Sequence, residues 1–100
     1  MNCIIRGTTP TLKYNFGVVN PANISVAYLT IKDKTHTLEK DLSEATVEQK
    51  SLSWKLSQEE TLAFGSQIET MLNWKTADGT RGASKNDFIC IDRNLKEVVI

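Results

Sequence analysis

One hundred residues with twelve basic and twelve acidic side chains carry no formal net charge, and 40% of them are hydrophobic. A chain of this size supports one core rather than two, burying roughly 65% of its unfolded surface, enough to fold without metal or disulfide staples. The charge balance excludes a global field that would gather nucleic acid or an anionic membrane, although a local basic patch stays open. Apolar runs of at most four or five residues exclude a membrane-spanning helix.

The first ten residues, MNCIIRGTTP, lack the basic start, long apolar stretch and cleavage site of a signal peptide, so a cytoplasmic origin is expected. A particle assembled there could still carry the protein outside. Met1 to Gly7 reads as a short apolar lead, and Pro10 belongs at a strand's start or edge because it cannot donate to a ladder. From Thr11, Leu12, Tyr14 and Phe16 alternate with Thr11, Lys13 and Asn15, the two-residue period of a half-buried strand. Gly17 to Asn23 breaks it, with Asn20-Pro21 as the turn signal.

Ile24 to Lys32 is rich in β-formers and predicts a second strand. Ile24, Val26, Tyr28 and Thr30 fall on one face and Ser25, Ala27, Leu29 and Ile31 on the other, so the strand is expected to be central. Asp33-Lys34 turns into a short charged strand, Thr35 to Lys40, and Asp41 to Glu44 turns again. Ala45 to Val47 and Ser51 to Leu56 then form a hairpin with a polar tip.

Ser51 to Trp74, SLSWKLSQEETLAFGSQIETMLNW, organises the chain. Leu52, Trp54 and Leu56 alternate with Ser51, Ser53 and Lys55. Ser57 followed by Glu60 is a capping box, which predicts a short helix over Gln58 to Phe64. Gly65 is expected to supply a left-handed exit. Alternation resumes at Gln67, with Ile68, Leu72 and Trp74 on one side. Asp78-Gly79 marks a tight hairpin turn, since Asp-Gly tolerates the positive φ that such turns need. Arg81 to Ser84 reads as irregular or a bulged edge. Phe88 to Asp92 is the last strand, with Ile89 and Ile91 opposite Phe88 and Cys90, and Leu95 to Ile100 is an apolar tail.

The residues offer little chemistry. His36, the single histidine, lies in a charged hairpin near Asp33 and Glu39, where a solvated side chain is expected. Glu60 is accounted for by the capping box and Glu59 by the helix dipole, and nothing places Glu69 beside either. Gly79-Thr80-Arg81-Gly82 follows no strand–helix unit and so makes no phosphate cradle. The aspartates lack calcium-loop spacing. Cys3 and Cys90 with His36 are too few for a zinc site, and no cofactor or metal is expected. First and last strands of a sandwich can be neighbours, so a Cys3–Cys90 bridge is geometrically open, but free thiols are expected in a reducing compartment. Trp74 with nearby Arg81 could stack a base or sugar, although a tryptophan on an alternating face is more often core. Phe88 and Cys90 make the last strand apolar on both faces, as if one face meets a partner or the tail.

Several pieces together resemble a family of small proteins encoded in phage and prophage structural modules of low-GC Gram-positive bacteria. They are RGTTPTLKYNF, VAYLTIKDK and LSWKLSQEETLAFG, followed by a strand ending in Asp78-Gly79 and by Leu95 to Ile100. The resemblance implies an immunoglobulin-like sandwich and no catalytic or binding motif. The chain departs from it at Met71 and Asn73, where Gln and Arg are expected, so contacts through those two side chains do not carry over.

The expectation is thus one all-β domain over residues 1–100, an immunoglobulin-like antiparallel β-sandwich with one short helix in an inter-sheet crossover. Its expected core is Leu12, Tyr14, Phe16, Val26, Tyr28, Leu52, Trp54, Leu56, Leu62, Ile68, Leu72, Ile89 and Ile91. The resemblance implies a virion-associated structural protein, not an enzyme, made in the host cytoplasm and carried in the virion. It would contact other phage structural proteins or itself, with Phe88, Cys90, Trp74 and Arg81 as interface candidates and no role for nucleic acid or membrane. A cell-surface carbohydrate-binding module built on Trp74 is the alternative.

Overall fold

The computed structural model describes residues 3–17 and 19–100. Met1 and Asn2 of the apolar lead, and Val18 in the Gly17–Asn23 break, lie outside the described residues. The chain folds into two sheets. The larger has six strands in the order β1 (Cys3–Ile5), β9 (Asp87–Asp92), β7 (Gln67–Thr76), β3 (Ile24–Lys32) and β4 (Thr37–Asp41), with β8 (Arg81–Ala83) also pairing with β7. The smaller has three: β2 (Thr11–Asn15), β6 (Ser51–Lys55) and β5 (Thr46–Val47). Their inner faces share one core, which includes Trp54 and Leu52 from the small sheet and Leu29, Ile31, Ile68 and Leu72 from the large one. The protein is therefore an all-β sandwich. Among the described residues every pairing is antiparallel except β1 with β9, which run parallel with Cys3 opposite Cys90.

The strand–helix–strand reading holds. Helix α1 (Gln58–Ala63) carries the chain from β6 in one sheet to β7 in the other. Both halves of its capping box are made: the Glu60 N–H donates to Ser57 Oγ at 3.1 Å, and the Ser57 N–H donates to Glu60 Oε1 at 2.7 Å. Gly65 is not the left-handed exit. The helix ends on Phe64 in extended backbone, and positive φ among the described residues occurs at Gly7 and Gly79. The Gly65 N–H is committed instead to Asp33 Oδ2 at 3.0 Å, so the chain leaves the helix straight. Lys40, on the inner side of β4, reaches Glu60 at 2.8 Å and joins the sheet to the helix cap. Burial, the strongest influence on Glu60, pushes its carboxyl up, but Lys40 and Ser57 together hold it below the usual range.

One strand is turned over relative to the sequence reading. A bulge at Ser25 interrupts the β3–β7 register between Ile24 and Val26. Ile24 thereby joins Ala27, Leu29 and Ile31 in the core, while Val26 and Tyr28 face outward at 38% and 44% exposure. An extra residue in one strand reverses which side chains face the core. Phe64, Ile4 and the fully buried Thr61 complete the core from positions the alternation did not mark, and Leu62 is only half-buried. Within Arg81–Ser84, read as irregular or a bulged edge, Arg81–Ala83 forms a short edge strand opposite Asn73–Lys75.

Cys3 and Cys90 form a disulfide, contrary to the expectation of free thiols. The parallel pairing of β1 with β9 sets the two residues opposite each other, with Cα atoms 4.7 Å apart, within the range a disulfide spans. Asp92 lies close to both sulfurs. With the sulfurs joined, neither thiolate is left to hold a metal.

Candidate interaction surface

Alternation fixes what each sheet shows to solvent. On the large sheet the inward positions are Ile4, Leu29, Ile31, Ile68, Leu72 and Ile91, so Ile5, Val26, Tyr28, Met71 and Phe88 point outward, all at least 36% exposed. Phe88 is opposite Glu69, Met71 opposite Thr30, and Tyr28 opposite Asn73. The apolar side chains thus step diagonally from β9 across β7 to β3, one residue pair per strand. Beside them lie Lys32, Glu39, Lys75 and Arg81, all exposed. Arg81 donates from Nη2 to Asn73 Oδ1 at 3.2 Å, which holds its guanidinium over the sheet. A concavity of about 260 Å³ is lined by Val26, Tyr28, Asn73, Trp74, Lys75 and Arg81.

The four interface candidates are not brought together equally. Phe88 is outward and half exposed, and Cys90 shares its face but is bonded to Cys3. Arg81 lies on the same face at the far end of β7. Trp74 does not: it follows Ile68, Thr70 and Leu72 on the inward side of β7 and packs on the core. Its ring meets Phe16 edge-to-face at 5.1 Å between centroids. It also lies across Gly82, where a Cβ would come within 2.4 Å of the indole. The aromatic presented outward in that neighbourhood is Tyr28, not Trp74. Sequence reasoning missed Tyr28, Val26 and Met71 because it placed the first two in the core. The signal available was that Ile24–Lys32 is apolar on both faces, which left the choice of face undecided.

The only histidine sits in a local turn network. Asp33 Oδ1 accepts the N–H groups of Thr35 and His36 at 2.8 and 2.6 Å, and Thr35 Oγ1 lies 2.8 Å from His36 Nδ1. Hydroxyl, imidazole and carboxylate are all present, but Thr35 and Asp33 approach the same ring nitrogen. A relay needs them on opposite nitrogens. The Thr35 N–H first, then those of Gly65 and His36, hold the Asp33 carboxyl down at about 2, against the upward push of burial. Asp33 is thus the pin between the β3–β4 turn and the end of α1.

A second exposed apolar stretch is the tail after β9. Leu95 and Ile100 are 93% and 88% exposed, and Val98 and Val99 are about half exposed. It is held by polar contacts: Gln58 exchanges two hydrogen bonds with the Ile100 backbone, and Arg6 pairs with Glu97 at 3.2 Å.

The class this fold defines is an all-β sandwich with one outward apolar sheet face. No protein-family model, curated protein or solved structure matches the chain.

Proposed function

We propose that the protein is a structural component of a phage or prophage particle, an immunoglobulin-like sandwich that works by protein–protein contact through the outer face of its large sheet. The observation that carries this reading is the diagonal of Val26, Tyr28, Met71 and Phe88, exposed together on one sheet face. Four large apolar side chains gathered on one sheet face make the kind of patch that an assembly contact covers. The resemblance of RGTTPTLKYNF and LSWKLSQEETLAFG to phage structural-module proteins supplies the kind of assembly. The disulfide is compatible with it: thiols kept reduced in a host cytoplasm can close once a released particle meets an oxidising medium.

Mass spectrometry of particles purified after prophage induction tests the proposal. The protein is expected in stoichiometric amount with capsid or tail proteins. Its absence from particles, while present in the lysate, would overturn the reading.

A further inference from the structure

The side chains that close the disulfide belong to a larger donor set. Ile4 and Ile91 point into the core, so Cys3 on β1 and Cys90 and Asp92 on β9 point outward. Cys3 lies opposite Cys90, and Asp92 follows two residues along β9 on the same face. Both sulfurs and a carboxylate oxygen of Asp92 fall within 4.8 Å of one another. Asp92 takes no part in the ion pairs among the described residues, which are Arg6–Glu97, Lys13–Glu48, His36–Asp33 and Lys40–Glu60. Cys3 and Asp92 are exposed and Cys90 is half-buried, so an ion reaches them directly from solvent. The strands are also braced beside the sulfurs by backbone, since the Arg6 N–H donates to the Asp92 carbonyl at 3.0 Å.

We propose that the reduced chain binds one Zn²⁺ between Cys3 Sγ, Cys90 Sγ and the Asp92 carboxylate, so that metal and disulfide are alternative clasps of β1 on β9. Tetrahedral zinc, with bonds of about 2.3 Å to sulfur and about 2.0 Å to oxygen, keeps its donors roughly 3.5–3.8 Å apart. The three groups already lie on that scale. Rotation about the cysteine side-chain bonds opens the sulfurs to it while the Cα atoms stay 4.7 Å apart. Two thiolates select zinc over magnesium or calcium, which take oxygen donors. Water fills the fourth position, which makes the site an open one. Breaking the S–S bond takes two electrons and two protons. A phosphine supplies the electrons and water the protons, and the phosphine leaves as its oxide with the oxygen of that water. In a reducing compartment a pair of small-molecule thiols does the same and leaves as a disulfide. Zn²⁺ then displaces the two thiol protons into solvent.

Titration of the phosphine-reduced, oxygen-free chain with Zn²⁺ against a chromophoric chelator tests this. One ion per chain is expected, with release of about two protons at neutral pH. Co²⁺ in its place should give thiolate-to-metal charge-transfer absorption. The oxidised chain, the Cys3→Ser/Cys90→Ser double variant and reduced Asp92→Asn should each bind about tenfold or more weakly than the reduced chain. Zn²⁺ should also raise the melting temperature of the reduced chain and leave that of the double variant unchanged. Neither of those two has the disulfide, so the comparison isolates the thiols, and circular dichroism of both is the control for folding. Binding by the reduced chain no tighter than by the double variant overturns the proposal. So does an Asp92→Asn chain that binds as tightly as wild type, or one ion shared between two chains.

Discussion

The two outward faces of the sandwich are made by the same device, alternating strands around one core, and present opposite surfaces. The small sheet shows threonine, lysine and asparagine, with Val47 of its edge strand the one large apolar side chain exposed among its described strand residues, while Ser51 and Ser53 are buried. The large sheet shows Val26, Tyr28, Met71 and Phe88. Neither pattern is needed for folding, because the inward residues carry the core. An outward apolar side chain gains little until something covers it, and this contrast is why the proposed contact surface is put on the large sheet.

Both faces depend on that shared core, and Trp54 tests it most severely. It is 1% exposed, touches Tyr14 edge-to-face, and sends its indole N–H from the small sheet to the Asp41 carbonyl of the large one at 2.9 Å. Trp54→Ala is expected to cost about 3–5 kcal/mol, a large share of a total stability near 5–15. Urea denaturation reads the loss. A change below about 1 kcal/mol would mean that the two sheets are not held by a common core.

The disulfide belongs to the large face alone. It fastens β1 to β9 and closes a loop with a sequence separation of 87. Replacing both cysteines by serine is expected to cost about 2–4 kcal/mol, chiefly by freeing the unfolded chain. Amide exchange should then rise first at Ile4 and Ile5, while β2 and β6 keep their protection. Equal melting of wild type in reducing and oxidising buffer would show that β1 is not held by this bond.

How much of this was legible in the sequence differs between the sheets. On the small sheet Leu12, Tyr14, Leu52 and Trp54 alternate cleanly with polar residues, and the reading of strand and face was right. The capping box and the Asp78-Gly79 turn were legible for the same reason, since each depends on neighbours in the chain: Gly79 adopts φ +93° and Asp78 receives the Thr80 N–H. On the large sheet, Ile24–Lys32 is apolar on both sides, and only the bulge at Ser25 decides which side turns in. Nothing local announces that bulge. The Cys3–Cys90 bridge and the Asp33–Gly65 bond join residues far apart in sequence, so they follow from topology rather than pattern. The interface candidates suffered accordingly: Phe88 was readable from its own strand, whereas Tyr28 was hidden behind an error of register.

Asp33 distinguishes the sheets by pH. It pins the turn at one end of β3 and β4, in the large sheet, and its folded-state carboxyl sits at about 2, below the ordinary value. A depressed carboxyl binds fewer protons folded than unfolded, so its contribution is full above about pH 4 and is lost as pH falls through about 2. Asp33→Asn keeps one acceptor but cannot receive the Gly65 N–H. It should cost about 1–2 kcal/mol at neutral pH and flatten the acid loss of stability between pH 4 and 2. A variant as acid-sensitive as wild type in that window would remove Asp33 as the pin.

The smallest effect on stability gives the sharpest contrast between the faces. Phe88 on the large sheet and Lys13 on the small sheet are both exposed strand positions and differ in chemistry. Phe88→Ser and Lys13→Ser should each change monomer stability by less than about 1 kcal/mol, as surface strand positions do. Lys13→Ser loses only an exposed pair with Glu48 at 3.8 Å, a geometry that contributes little. Their effects on surface behaviour should diverge: binding of a hydrophobic dye such as ANS is expected to fall for Phe88→Ser and to stay level for Lys13→Ser. Equal dye binding by both variants would mean that Phe88 is an isolated exposed ring rather than part of a patch, and the large face would lose its distinction from the small one.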